Sequence, residues 1–170
     1  GLGQGAQPII SYNYGAGNPG RVKAAFRLLM KTSLCYSVIL WLFVMLFPGG
    51  FAAMFTTDAE LMEYTKTALR IYMAVMFLFG IQVACQMTFN ALGKAVESIV
   101  VAVMRKFVLL LPLIYIMPQI LQSRQTTAVY MAEPIADTVA VTFTAVLFAV
   151  QFRKVLASMK KKEERVWNMQ

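Results

Sequence analysis

Histidine is absent from this sequence, and acids are scarce: eight Asp and Glu stand against sixteen Lys and Arg in 170 residues. Without histidine there is no imidazole metal ligand and no side chain that ordinarily titrates near neutral pH. Cysteine occurs only at Cys35 and Cys85, each inside an apolar run with no second ligand at zinc spacing. Neither a disulfide framework nor a metal centre is expected. Glycine-rich phosphate loops and nucleophile–base pairs are missing as well, so no catalytic residue and no bound cofactor are expected. Charged residues make up 14% of the chain, well under the roughly 25% usual in soluble domains.

Apolar residues fill the space that charge leaves: 59% of the chain is hydrophobic, with a mean hydropathy of +0.62. About 20 apolar residues of helix cross a hydrocarbon core. Four runs meet that length, at residues 33–55, 71–92, 98–121 and 128–152. Residues 1–14 read as the end of a further span whose start is missing. The expected fold is all-α: a polytopic helical membrane protein with one truncated and four complete transmembrane helices. These spans form one unit over residues 1–153, followed by a basic tail at 154–170. Turn signals separate the spans. They are Gly15-Ala16-Gly17-Asn18-Pro19-Gly20, Pro48-Gly49-Gly50, residues 56–70, 93–97 and 122–127. Because the first residues already read as membrane helix, the sequence is expected to be part of a longer protein.

Basic residues orient the spans. With loops alternating sides, thirteen Lys and Arg fall on one side and three on the other. The positive-inside rule makes the richer side cytoplasmic and places the C-terminus there. Topology thus accounts for the net charge of +8, and nucleic acid is not an expected partner. Lys23, Arg27 and Lys31 recur every fourth residue and form one basic stripe on a helix. The stripe either meets anionic lipid headgroups or snorkels at a helix end.

Polar residues at membrane depth are costly and mark candidate sites. Gln4, Gln7 and Ser11 share a helix face around Pro8, with Tyr12 and Asn13 following. They either line an aqueous cavity or join helices through amide hydrogen bonds. Gln82, Gln86 and Asn90 make a second polar face, open to the same two readings. Glu133 and Asp137 flank Pro134 one turn apart and are the only acids well inside a predicted span. Desolvation suits them to hold a proton or cation, with Gln82 or Gln86 as hydrogen-bond partners. Arg105, next to Lys106, either snorkels or pairs with an acid in the bundle. Pro8, Pro112, Pro118 and Pro134 are expected helix kinks.

The run GLGQGAQPIISYNYGAGNPGRVKAAFR closely resembles a signature of the MATE (multidrug and toxic compound extrusion) family, at the eighth of twelve helices and the following loop. ALGKAVES with RKFVLLLPLIYIMP resembles the tenth-to-eleventh helix junction, and AEPIADTVA the start of the twelfth. The resemblance covers nearly the whole chain and is greatest to the bacterial MepA-type subgroup. It implies a C-terminal lobe lacking its seventh helix and the N-terminal lobe of the same protein. It implies a secondary antiporter of the bacterial plasma membrane that exports cationic amphipathic drugs in exchange for H⁺ or Na⁺. The NorM-type branch carries an acid on the tenth helix, but no Asp or Glu lies between Arg70 and Glu97 here. The ion-coupling role then falls to Asp137, to Glu133 or to the missing lobe. A lipid-linked substrate flippase is the runner-up. A membrane-embedded enzyme lacks clustered acids or histidine at the membrane surface, and a purely structural subunit would not need the amide stripes.

Overall fold

A computed structural model describes residues 1–54, 56–120 and 125–168. Every regular element among them is helical. Helix α1 spans Leu2–Gly15 and turns into α2, Pro19–Leu46, through Gly17, whose φ of +72° suits a residue without Cβ. Pro19 opens α2, where its missing N–H costs nothing. At 28 residues α2 is about 42 Å long. It begins well before the expected span at 33–55 and ends earlier, because Pro48 drives Phe47 out of the helical region. A short helix α3, Pro48–Ala53, follows. The basic stripe therefore lies on the same rod as the span: Lys23, Arg27 and Lys31 are exposed, while Val22 and Leu29 point inward.

The expected span at 71–92 is a broken helix, and the expected connection at 56–70 is mostly its first half. Helix α4, Ala59–Tyr72, starts on an Asp58 cap that accepts the Leu61 N–H at 3.0 Å. A bend of 43° separates it from a 3₁₀ turn at Met76–Leu78 and helix α5, Phe79–Ala91. Breaking a helix at membrane depth frees carbonyls that must find donors. Helix α2 supplies them: Trp41 Nε1 donates to the Ala74 carbonyl at 3.0 Å, and Ser37 Oγ to that of Phe77 at 2.9 Å. Gly80 makes this approach possible. A Cβ there would stand 2.6 Å from the Ser33 carbonyl oxygen and 2.5 Å from Ser37 Oγ.

Residues Ala95–Ile120 form one continuous rod of 26 residues. It comprises α6 (Ala95–Val103), a π-helical turn (Met104–Leu110) and α7 (Leu111–Ile120). Pro112 comes just after the widened turn. In a regular helix its ring would press on the carbonyl four residues back. Pro8, Pro118 and Pro134 sit inside helices that run on past them, and the bend of 43° contains no proline. Residues 121–124, the last of the expected span at 98–121 and the first three of the expected connection at 122–127, lie outside the described residues.

Helix α8, Gln125–Trp167, is 43 residues long, about 65 Å. It does not stop at the expected span end of 152. Residues 154–167, expected as part of a tail, continue the helix, and Val155 and Met159 are buried in the core. Every fourth residue of α8 from Ala128 is buried: Ala132, Ala136, Ala140, Thr144, Phe148 and Phe152. Small residues in the first half permit close helix contact. Phenylalanines fill the second half, where Phe26, Phe89, Phe148 and Phe152 form one aromatic cluster with centroids 4.6–5.1 Å apart. The principal core thus lies among α1, α2, α5 and α8. The rod α6–α7 and helix α4 flank the first half of α8. Outward faces are apolar, with Ile39 and Phe43 on α2 and Ile99, Phe107 and Tyr115 on the α6–α7 rod exposed. Such surfaces suit a lipid environment and not water.

Candidate functional site

The charged residues at membrane depth converge. Arg105 lies about 15 Å into the rod that begins at Ala95, and Asp137 about 18 Å into α8. Each distance is about half of a hydrocarbon core roughly 30 Å thick. Glu133 and Asp137, one turn apart, share a face of α8, and Arg105 bridges them. Its Nε donates to Asp137 Oδ1 at 2.5 Å and its Nη2 to Glu133 Oε1 at 3.5 Å. Lys106 Nζ stands 3.7 Å from the same Glu133 oxygen. Consecutive residues on an α-helix point about 100° apart, and a π turn narrows that angle. The widened turn brings both basic residues onto α8.

Phe79, the first residue of α5, completes the cluster, with the Arg105 guanidinium carbon 5.0 Å above its ring centre. Tyr72, at the end of α4, lies beside the Glu133 carboxylate. The cluster thus draws on both sides of the break in the α4–α5 span. Two acids and two bases balance in charge, and the side chains of Arg105, Glu133 and Asp137 keep only 11–18% of their exposure. Burying isolated ions would be prohibitive, and pairing with hydrogen bonds makes it tolerable. This is the paired arrangement expected as one alternative for Arg105. The expected amide partners of Asp137 are not used: Arg105 takes that place.

The two amide faces lie elsewhere. Helix α1 packs on α2 and α5, away from the acids on α8. Gln4 is exposed and Gln7 half-buried, while Ser11 Oγ donates to the Ala91 carbonyl at 2.8 Å and so joins α1 to the end of α5. Asn13 is buried and donates to the Ile9 carbonyl at 2.8 Å, leaving its Oδ1 without a partner. Gln82 is buried with an unpartnered Oε1, Gln86 is half-buried and Asn90 is exposed. The second stripe therefore runs from the interior to the surface. Helix gluing accounts for Ser11, while the orphan oxygens of Asn13 and Gln82 remain available to a further partner.

Among the described residues, two cavities open between the helices. One of about 630 Å³ lies between the start of α1, α2 and the broken span, lined by Ser33, Tyr36, Ser37, Met76, Phe79 and Gly80. The other, about 450 Å³, lies between α4 and α8 and is walled by Tyr64, Tyr72 and Tyr130. Phe79, Tyr72 and the Ser37–Trp41 latch did not stand out in the sequence. The close helix crossing became visible only in the structure, where Gly80 faces Ser33 and Ser37.

Comparison with known proteins accounts for this architecture. The MatE family model matches residues 1–116. A FAD transporter of Shewanella oneidensis is 29% identical over 112 residues, covering 66% of this chain and 25% of its own length. Multidrug export protein MepA of Staphylococcus aureus is 26% identical over 117 residues, covering 69% and 26%. Among solved structures, the MATE multidrug transporter DinF-BH, determined as a complex with a bound ligand, superposes with a TM-score of 0.82 at 32% identity, over 91% of this chain and 34% of that one. An inward-facing MATE family transporter of the MOP superfamily gives 0.80 at 18% identity, over 92% and 35%, a likeness of fold alone. The chain spans about a quarter of the length of these relatives and a third of these structures. With its apolar helices and a family match over two thirds of its length, this chain is an integral membrane protein and belongs to the MATE family of transporters.

Proposed function

We propose that this chain is the C-terminal lobe of a secondary antiporter that exports cationic amphipathic compounds in exchange for H⁺ or Na⁺. The observation that carries the reading is the Arg105–Asp137–Glu133 cluster, set deep within apolar helices of a MATE fold. Ionisable groups at that depth mark ion and substrate pathways. Relatives described as a multidrug export protein and a multidrug transporter support the substrate class. Arg105 acts as the resident counter-ion of the two carboxylates. An arriving H⁺ or Na⁺ takes its place on Asp137, and the released guanidinium stays over the Phe79 ring. Displacing one cation by another changes the bonding between the α6–α7 rod and α8, a two-state element of the kind that alternating access needs. The membrane is the bacterial plasma membrane with the C-terminus in the cytoplasm, which the charge asymmetry supports.

The test is transport by the complete protein in proteoliposomes. A lipophilic cation should move uphill when a proton or Na⁺ gradient is imposed. Asp137→Asn, which keeps shape and removes charge, should cut gradient-driven transport at least tenfold while insertion stays normal. Wild-type rates with unchanged pH and Na⁺ dependence would place the coupling acid in the other lobe. The FAD transporter among the relatives favours a second reading, export of a phosphate-bearing flavin. FAD uptake in the same vesicles, without cation transport, selects it. A lipid-linked substrate flippase predicts neither.

A further inference from the structure

We infer that Tyr64, Tyr72 and Tyr130 form an outer subsite for organic ammonium ions, distinct from the Arg105 cluster but joined to it through Glu133. Tyr64 and Tyr72 lie two turns apart on one face of α4, with Ala68 between them keeping the floor low. Tyr130 closes the cavity from α8, its ring 6.3 Å from that of Tyr64 and edge-on at 65°. The groove is open on one side and has a volume of about 450 Å³, within the range of small-molecule sites. Ring faces carry negative potential and attract cations, most strongly where several rings surround one space. Glu133 is the carboxylate nearest the rings. It lies one turn beyond Tyr130 on α8, beside Tyr72, and its two basic partners stand at 3.5 and 3.7 Å against 2.5 Å for Asp137. Of the two carboxylates it is the less tightly held, and it is the one nearest the tyrosines.

Tyrosines also gather at membrane interfaces as a belt, where rings face headgroups. Here three rings from two helices wall one cavity, with a carboxylate beside it. Two features select an ammonium ion as occupant: the ring faces, and the acid with distant partners. A neutral apolar molecule would use neither.

The assignment of organic cations rests on the export reading, and its test is chosen to be separable from that reading. The complete protein is placed in nanodiscs of phosphatidylethanolamine and phosphatidylglycerol, which carry no choline headgroup. Choline and its neutral isostere 3,3-dimethylbutanol are titrated at equilibrium, with no gradient. Choline should bind roughly tenfold more tightly than the alcohol. Tyr64→Ala and Tyr130→Ala should each weaken choline about five- to tenfold, whereas Tyr130→Phe, which keeps the ring, should not. Glu133→Gln should weaken choline and leave the alcohol unchanged. Equal binding of the two probes, no choline binding, or alanine variants that bind like the parent would each overturn the subsite. Loss of gradient-driven export with choline binding intact removes the antiport reading alone. Intact export without choline binding removes the subsite alone.

Discussion

Arg105 touches three elements through one side chain: two acids of α8, the ring of Phe79 on α5, and its own widened turn. Removing one partner of a buried pair leaves a charge unpaired and costs roughly 3–5 kcal/mol. Arg105→Ala should therefore lower the thermal stability of the complete protein far more than a surface arginine change. Adding Asp137→Asn to that variant should recover part of the loss. Melting curves of the single and double variants measure this, and additive losses would show that the pair is not energetically coupled. Arg105→Lys should restore little, because an ammonium cannot bridge two carboxylates with a planar fork. Glu133, Asp137 and Arg105 were each legible in the sequence, since charge amid apolar runs always needs an explanation. Their pairing was one of two readings open for Arg105 and could not be selected, because 32 residues separate Arg105 from Asp137 and the π turn that aims Arg105 leaves little trace except Pro112. Gln82 and Gln86 were also open as partners, since the rotation of α5 is not legible in the sequence.

The break in the α4–α5 span is held from outside itself. Trp41 and Ser37, one turn apart on α2, each cap a carbonyl that the break releases. Trp41→Phe keeps a ring and loses the donor, and Ser37→Ala loses the second one. Each should cost about 0.6–2 kcal/mol and speed amide exchange at residues 73–78, as hydrogen-exchange mass spectrometry would report. Exchange unchanged in both would mean that the break holds without the latch. Gly80→Val should be worse than either, because the added carbons meet the Ser33 backbone, which cannot swing away. Helix existence was readable from hydropathy at every span, but boundaries were not. Hydropathy marks lipid-facing length, whereas helices extend as long as the backbone can hydrogen-bond. Thus α2 reaches back to Pro19 through basic residues, and α4 lies in a segment too polar to be scored as membrane.

At the scale of the molecule, charge asymmetry sets direction. Single cysteines placed at Asn18 or Lys160, in a background with Cys35 and Cys85 replaced, should resist an impermeant thiol reagent added outside intact cells. One at Asp58 should react. The reverse pattern would invert the orientation and with it the direction of transport. The chain expressed by itself should insert but not move substrate, since alternating access needs two lobes working against each other. Drug efflux from cells carrying these 170 residues alone would point to an oligomeric pore. The overall bundle was legible because lipid and charge sort residues along the whole sequence. Which helices touch was not, since every span offers an apolar face. Helix α8 adds a mechanical consequence. From Asp137 to Arg165 it runs on for about 42 Å without interruption. A tilt of roughly five degrees at the ion pair would carry its far end by nearly 4 Å, estimated from the rise of 1.5 Å per residue. Exchange of a single cation in the middle of the bilayer would then be legible as a displacement in the aqueous phase, where a spin label could follow it.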